Sequence, residues 1–335
     1  MKSKIRNISS KTRGEMNSVI KNSSLQKNPD DLLKQIFIVY RRIRPRSINT
    51  KKNQHSVIRD IADILRRNFN LIKLRNLQEK HIRKIIEEWK KRGYKPGTLT
   101  TKIGFLRKLC ISIGKRSCIK DNKYYGIRRG RVVFTDKRWT PGGTNDFEII
   151  SKVDGLLHKY GNRIRDCLIL ERIFGLRKRE ALRFHPCIEI ILDEKNNPIR
   201  IELTLGTKNN RYRTIPVVTE EQRSFLRTLI DTYKSDPIQP YLLDSYKKWE
   251  RVYFYVLEKI GINHQSTGHG LRQAYANDRL KAILEETRKY SEINNFHESD
   301  EKIRLVAYQK LTKELGHGRI DILRSYLADY KTPSL

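Results

Sequence analysis

Residues 175–180 read Gly-Leu-Arg-Lys-Arg-Glu and follow a stretch, Arg163–Phe174, that has the apolar spacing of a helix. Gly175 is predicted to interrupt that helix, because glycine readily adopts the left-handed backbone that ends one. Arg177 then precedes Glu180 by one helical turn, so the carboxylate can orient the guanidinium. By itself this spacing is more often that of a surface ion pair, so its meaning depends on the rest of the chain.

A second segment, residues 206–216, reads GTKNNRYRTIP and lies between two strand-like runs, Arg200–Leu205 and Tyr212–Val217. Alternating residues on both sides of a polar turn predict a β-hairpin. Lys208 lies in that turn, where a lysine is usually a solvated surface group. Its importance therefore depends on what surrounds it.

Three further segments supply the same kinds of side chain. His269-Gly270-Leu271-Arg272 spaces a histidine and an arginine so that a helix would direct both to one spot. Leu315-Gly316-His317-Gly318 supplies a second histidine, and Tyr326 follows His317 by nine residues. Most of the 16 tyrosines of a chain like this are packing residues, and Tyr330 is a rival to Tyr326 one helical turn further on.

Taken in order, these five segments resemble the motifs of the tyrosine recombinase (phage integrase) family. The resemblance covers residues 175–326, and Thr207 and Asn209 depart from the family's commoner pattern around the lysine. In the family the tyrosine attacks a DNA phosphodiester and forms a 3′-phosphotyrosine, while the lysine protonates the departing 5′-oxygen. The resemblance implies that Glu180 supports the first arginine and that the catalytic residues are Arg177, Lys208, His269, Arg272, His317 and Tyr326.

The resemblance also implies a mainly α fold with a small antiparallel β-sheet in the catalytic domain, an α+β architecture with an N-terminal helical core-binding domain. The implied activity is that of a site-specific recombinase or integrase, which integrates or excises a mobile element such as a prophage. Its partners would be double-stranded DNA, three further copies of itself in a homo-tetramer on DNA, and accessory directionality or DNA-bending proteins. The implied location is cytoplasmic and nucleoid-associated.

The residue types suit this chemistry. A phosphodiester is an anion, and two guanidiniums can bind its nonbridging oxygens where many nucleases use a metal ion. Histidines can donate hydrogen bonds to the phosphate or carry the tyrosine proton. The sequence contains no HExxH, no paired-Cys zinc motif and no GxxxxGK[ST] phosphate loop. We therefore expect a reaction without cofactor, metal or ATP.

The charge of the chain favours a polyanionic partner. Of 335 residues, 71 are Lys or Arg and 37 are Asp or Glu, a formal net charge of +34. Residues 1–140 hold 38 of the basic and 10 of the acidic residues. Neutralising phosphates with such a surface releases counterions and drives binding. No apolar run reaches the roughly 20 residues of a membrane span, and the four cysteines form no CxxC pair, which argues against membrane and disulfide-framework classes.

Composition and periodicity divide the chain into an arm (1–28, basic and flexible), a helical DNA-binding domain (29–114), a basic linker (115–145) and a catalytic domain (146–335). Residues 282–303 are polar and are interpreted as an insertion. In the helical domain, four helices are predicted: one capped by Asp30 or Asp31, one over Ser56–Phe69, one from about Leu77, and one from Thr98 or Thr100.

Three alternatives stay open. A chromosome-resolving, Xer-like recombinase would use the same residues. A type IB topoisomerase-like enzyme uses a similar set on one duplex, although the two histidine segments favour the recombinase. A catalytically silent DNA-binding protein would explain the charge but not the filled catalytic positions.

Overall fold

The computed structural model describes residues 32–43, 48–128, 130, 134–156, 161–207, 211–234, 243–262, 268–293 and 299–332. The predicted arm, the capping residues Asp30 and Asp31, and Lys208 lie outside the described residues. The chain divides into two compact units between Arg131 and Val132.

The described residues of the first unit form four α-helices, as the sequence predicts. Their apolar stripes form one core that includes Ile36, Ile58, Ile86 and Leu106, all at most 2% exposed. Its helices are α1 (Leu32–Ile43), α2 (Ile48–Phe69), α3 (Glu79–Lys91) and α4 (Pro96–Ser112).

Two of the predicted helix starts in this unit are wrong. Helix α2 begins at Ile48 and not at Ser56, because its first turns are polar and carry no apolar stripe to reveal them. Helix α4 begins at Pro96, before Thr98, since the fixed φ of proline suits the first position of a helix. Gly93, with φ of +71°, follows α3 as predicted.

The segment predicted as a basic linker is not uniform. Ile119, Tyr125 and Ile127 are at most 7% exposed and belong to the core of the first unit. The Tyr125 hydroxyl accepts a hydrogen bond from the Lys120 amide at 2.9 Å. Packing of these side chains therefore extends the first unit beyond residue 114, while residues 134–145 belong to the second unit.

The second unit combines eight α-helices with a small sheet among its described residues. The helices are α5 (Asp146–Ser151), α6 (Gly161–Ile173), α7 (Lys178–Ala181), α8 (Pro186–Glu189), α9 (Glu220–Lys234), α10 (Leu243–Lys259), α11 (His269–Ile293) and α12 (Asp300–Glu314). Helix α11 packs against α6 and α12. The predicted insertion, 282–303, corresponds to the end of α11 and the start of α12, with residues 294–298 outside the described residues.

The sheet contains three antiparallel strands in chain order, β1 (Ile190–Leu192), β2 (Pro198–Leu203) and β3 (Arg213–Pro216). The register pairs Ile201 with Ile215 and Leu203 with Arg213. Because side chains alternate along a strand, Arg213 and Ile215 face the same side, and both are buried. The mainly α fold with a small antiparallel sheet is thus confirmed. No helix in the described part of the chain is both long and apolar enough to cross a membrane.

Candidate active site

Arg177 and Glu180 meet at the start of the short helix α7. The Glu180 carboxylate accepts a hydrogen bond from the Arg177 amide at 2.8 Å and another from its guanidinium at 2.6 Å. Gly175 makes the preceding turn with φ of +60°, and a Cβ there would collide with the Tyr275 ring. The helix break and the Arg–Glu contact predicted from residues 175–180 are both present.

A third charged side chain, that of Arg213 on strand β3, also binds Glu180. Its Nη2 lies 2.6 Å from the second carboxylate oxygen of Glu180, and its Nη1 donates to the Glu314 carbonyl. Arg213 belongs to the predicted hairpin segment, but it was not among the predicted site residues. The strand alternation could have indicated it, because Arg213 lies two positions before Ile215 and therefore on the same, buried face.

Glu180 is kept ionised by its neighbours although it is fully buried. Burial alone would raise the pKa of Glu180, but the guanidiniums of Arg213, Arg177 and Arg272 together hold the pKa below its usual value. One carboxylate therefore lies among three guanidiniums. The local excess of positive charge is suited to an anion such as a phosphate.

The Leu315-Gly316-His317 segment forms the C-terminal cap of helix α12. Gly316 has φ of +63° and donates its amide to Lys313, while the His317 amide donates to Thr312 at 2.9 Å. This is the double hydrogen bond of a Schellman cap. The cap leaves the carbonyl of Leu315 free to accept from other side chains.

The Leu315 carbonyl oxygen joins the two predicted catalytic arginines. Arg177 Nη2 donates to it at 2.9 Å and Arg272 Nη2 at 2.5 Å. Arg272 is fully buried and also donates to the Gly175 carbonyl. A single acceptor therefore draws both guanidiniums to one place, each with N–H groups left over for a further anion.

The Tyr326 hydroxyl points into this cluster. It lies 3.2 Å from His317 Nε2 and 3.4 Å from Arg272 Nε. The residue follows a short 3₁₀ segment, Ile320–Ser325, and is 4% exposed. The other candidate, Tyr330, instead stacks on Tyr308 with ring centroids 5.1 Å apart.

His269 begins helix α11 and lies on the other side of Tyr326. Its ring centroid is 5.4 Å from that of Tyr326. The residue keeps access to solvent. Partial burial of its ring, and then the positive charges of Arg272, Lys137 and Arg177, disfavour the charged imidazole and lower the pKa of His269 to about 4. His269 is therefore neutral at pH 7, and its imidazole can take part in a hydrogen bond.

The structure thus brings together five of the six predicted catalytic residues, and Glu180 binds one of them, Arg177. The five are Arg177, His269, Arg272, His317 and Tyr326. Lys208 lies outside the described residues. Two residues before it, Gly206 packs so closely on the backbone of Arg179 that a Cβ would collide with the Arg179 carbonyl oxygen. Among the residues that the structure describes, no group of three or more His, Cys, Asp and Glu side chains is placed to hold a metal ion.

Comparison of the sequence with protein families gives one match. Residues 31–119, which include the four helices of the first unit, match the family model described as phage integrase, N-terminal. No curated protein sequence matches the chain.

Solved structures similar to this chain include integrases and a recombinase bound to DNA. The Tn1549 transposon integrase in complex with circular intermediate DNA has 16% sequence identity and a TM-score of 0.53, with 90% of this chain and 96% of that chain covered. A lambda integrase dimer bound to a COC′ core site has 15% identity and a TM-score of 0.53, with 95% and 87% covered. XerH site-specific recombinase bound to palindromic difH substrate has 14% identity and a TM-score of 0.51, with 82% and 75% covered.

At these identities the likeness establishes the fold. The architecture predicted from the five motif segments is confirmed for the chain, and the helical first unit agrees with the matched N-terminal family model.

Proposed function

We propose, from the tyrosine recombinase fold of this chain, that the protein is a site-specific DNA recombinase that cuts and rejoins DNA through a 3′-phosphotyrosine. The observation that carries the proposal is the position of the Tyr326 hydroxyl, 3.2 Å from His317 Nε2 and 3.4 Å from Arg272 Nε. A buried tyrosine used only for packing does not need its hydroxyl between a histidine and a guanidinium.

In the proposed reaction Arg177 and Arg272 bind the nonbridging oxygens of the scissile phosphate. Both are held by the Leu315 carbonyl, and Glu180 fixes the orientation of Arg177. Positive charge that is fixed in place before the reaction stabilises the pentacoordinate transition state more than the bound phosphodiester, because the transition state carries more negative charge. Because these side chains are already hydrogen bonded, little reorganisation accompanies the reaction.

The Tyr326 oxygen then attacks phosphorus as the bond from phosphorus to the 5′-oxygen breaks. The phenolic proton passes to the neighbouring imidazole of His317, whose Nε2 lies 3.2 Å from the Tyr326 hydroxyl. Lys208 donates a proton to the departing 5′-oxygen. What supports this role is that Gly206, two residues before Lys208 in the sequence, packs on the backbone of Arg179 and Glu180. Attack by a 5′-hydroxyl reverses these steps and releases the tyrosine, so the reaction needs no ATP.

The remaining parts of the proposal concern DNA and assembly. Residues 1–131 contain 36 Lys and Arg against 9 Asp and Glu, which supports binding of double-stranded DNA by counterion release. A homo-tetramer at the nucleoid, acting with accessory directionality or DNA-bending proteins to integrate or excise a mobile element, is the assembly that we propose. The named relatives include a transposon integrase and a phage-type integrase as well as XerH, so chromosome resolution is the second candidate.

The test is covalent trapping on DNA. Nicked duplexes with a randomised central segment are incubated with the full chain in EDTA, and protein–DNA adducts are recovered and sequenced to define the site. We expect wild-type protein to form adducts on this site, whereas Tyr326→Phe binds the same duplex but forms none. Tyr330→Phe is the matched control and should trap like wild type, since Tyr330 stacks on Tyr308.

Trapping by Tyr326→Phe, or loss of trapping in Tyr330→Phe alone, would contradict the assignment of the nucleophile. Abolition of trapping by EDTA would contradict a reaction that uses no metal ion. Strand exchange between two separate duplexes that each carry the selected site would identify a recombinase. A topoisomerase-like enzyme would instead relax supercoiled DNA without a second site.

A further inference from the structure

Two amide side chains lie on one face of helix α11, directly after Arg272. Gln273 and Asn277 are four residues apart and therefore one helical turn from each other. Gln273 is 2% exposed, and Asn277 is half-buried. Neither residue belongs to the catalytic set proposed above.

Gln273 joins two segments that are far apart in sequence. Its Nε2 donates to the Ser325 carbonyl at 3.1 Å and to the Thr135 carbonyl at 3.0 Å. Its Oε1 accepts from the Lys137 amide at 2.7 Å. Both N–H groups of the amide and its oxygen are therefore used, and all three bonds go to backbone atoms.

Asn277 holds the other side of the nucleophile segment. Its Nδ2 donates to the Tyr326 carbonyl at 2.8 Å, and its Oδ1 lies 3.4 Å from the Ala328 amide. With the Ser325 contact of Gln273, the backbone is held one residue before Tyr326, at Tyr326 and two residues after it. The helix that supplies these contacts also carries His269 and Arg272.

Residues 135–137 are fixed to the same helix by a second contact. A Cβ on Gly270 would collide with the Lys137 carbonyl oxygen, so the backbone of this segment packs directly on the first turn of α11. The segment follows closely on the division between the two units at Arg131 and Val132. A displacement of residues 135–137 would therefore break hydrogen bonds of the amide that also holds Ser325.

We infer that Gln273 and Asn277 are positioning residues for Tyr326, and that Gln273 makes the position of the nucleophile depend on residues 135–137. The inference rests on the proposed function. The Tyr326 hydroxyl is near the outer limit of hydrogen-bond distance from Arg272 Nε, at 3.4 Å. Loss of the backbone contacts would allow a displacement of the size that slows a positioned reaction about 100-fold.

The test compares Gln273→Met with Gln222→Met on the trapping site selected above. Gln222 is also buried, at 6% exposed, and its amide also bonds backbone atoms, those of Ile173, Val218 and Thr219. It contacts neither Tyr326 nor residues 135–137 through these bonds. We expect Gln273→Met to trap about 100-fold more slowly than wild type, with unchanged DNA affinity, whereas Gln222→Met traps at a rate close to wild type.

A second readout separates nucleophile position from proton donation. In a duplex whose scissile 5′-bridging oxygen is replaced by sulfur, the thiolate leaves without a proton. Gln273→Met should stay slow on this duplex, because the defect lies in the attacking group. A Lys208→Ala variant should recover on it and serves as the positive control.

Asn277→Asp keeps the shape of the side chain, removes the donor to the Tyr326 carbonyl, and tests the inference if Gln273→Met does not fold. We expect it to trap about 10-fold more slowly, the effect of one lost hydrogen bond. Trapping at the wild-type rate, equal slowing in Gln222→Met, recovery on the sulfur duplex, or a loss explained by weaker DNA binding would each overturn the inference. Absence of trapping by wild-type protein would instead overturn the proposed function, and the inference with it.

Discussion

Two ion pairs of equal length show how differently the two units use charge. In the first unit Arg67 Nη2 lies 2.6 Å from Asp63, and both side chains are 58% exposed. In the second unit Arg213 Nη2 lies 2.6 Å from Glu180, and the two are 3% and 0% exposed. The distances match, but the second pair is buried and belongs to a cluster in which Glu180 also binds Arg177.

The contrast extends to each unit as a whole. The first holds 36 basic and 9 acidic residues, yet His81 is the one polar side chain that it buries among its described residues. The second holds 35 and 28, and it buries many charged groups. These are Asp146, Arg163, Asp166, Glu171, Glu180, Glu189, Arg213, Arg272, Arg279 and Glu314.

The difference matches the two uses of charge in the proposed function. A surface that attracts a polyanion works at a distance and needs net charge but no fixed geometry. A site that stabilises a transition state needs charges that do not move, and burial with hydrogen bonds provides that. Exposed pairs such as Arg67–Asp63 contribute little to stability, whereas breaking a buried pair leaves an uncompensated charge.

The largest expected effect tests this contrast directly. Arg213→Met should reduce the free energy of unfolding of the second unit by about 3–5 kcal/mol, because Glu180 loses a partner while remaining buried. Arg67→Met, the matched change at the exposed pair, should cost less than about 0.5 kcal/mol. Hydrogen exchange measured peptide by peptide reports the two units separately. Similar losses in both variants would show that burial does not distinguish the pairs.

Arg272→Lys tests whether fixed geometry matters beyond charge. A lysine cannot donate at once to Gly175, Leu315 and Tyr326, so we expect covalent trapping to slow about 10²–10³-fold. The matched control is Arg279→Lys on the same helix, since Arg279 is also buried but bonds Glu314 and Glu286. Trapping by Arg272→Lys near the wild-type rate, with Arg279→Lys unchanged, would mean that charge alone suffices.

A smaller effect concerns pH. Glu171 is fully buried, accepts a hydrogen bond from Tyr253 at 2.7 Å, and has its pKa raised to about 8 by burial. Between an unfolded pKa of about 4.5 and this value, the folded state holds a proton that the unfolded state releases, so the wild type loses stability as pH rises. Glu171→Gln cannot ionise and should gain roughly 3–4 kcal/mol on wild type between pH 5 and pH 8.

Urea unfolding at several pH values measures this gain. Parallel pH curves for the two proteins would show that Glu171 is ionised in the fold. Asp60 in the first unit provides the contrast, because hydrogen bonds from Arg92, Trp89 and Lys102 outweigh its partial burial and lower its pKa. Its contribution to stability is present above pH 4 and lost as the pH falls.

Several features of the site follow from short-range sequence patterns. The i, i+3 spacing of His269 and Arg272 and the break at Gly175 are local, so the helix geometry is enough to predict them. The Schellman cap at Gly316 is local as well. Such patterns also predicted the four helices of the first unit, but not the polar start of α2 at Ile48, since polar turns carry no periodic signal.

Other features depend on contacts between distant residues. Arg213 reaches Glu180 across 33 positions, and Gln273 reaches Thr135 across 138. Nothing in the local sequence of either residue identifies its partner, because the partner is chosen by how strands and helices pack. The same is true of the Leu315 carbonyl, a backbone atom that no motif of side chains can indicate.

The order and spacing of a few charged, histidine and tyrosine residues were enough to show the family resemblance that implied the fold of this protein and the chemistry proposed for its second unit. The sequence by itself also determined local features, because helix and turn geometry act over a few residues. Tertiary structure alone decided which buried charges face each other, which carbonyl joins the two arginines, and which amides hold the Tyr326 backbone. Those choices are made where segments distant in sequence exclude water together, and the free energy of a charge or a hydrogen bond there depends on neighbours that only the packed chain supplies.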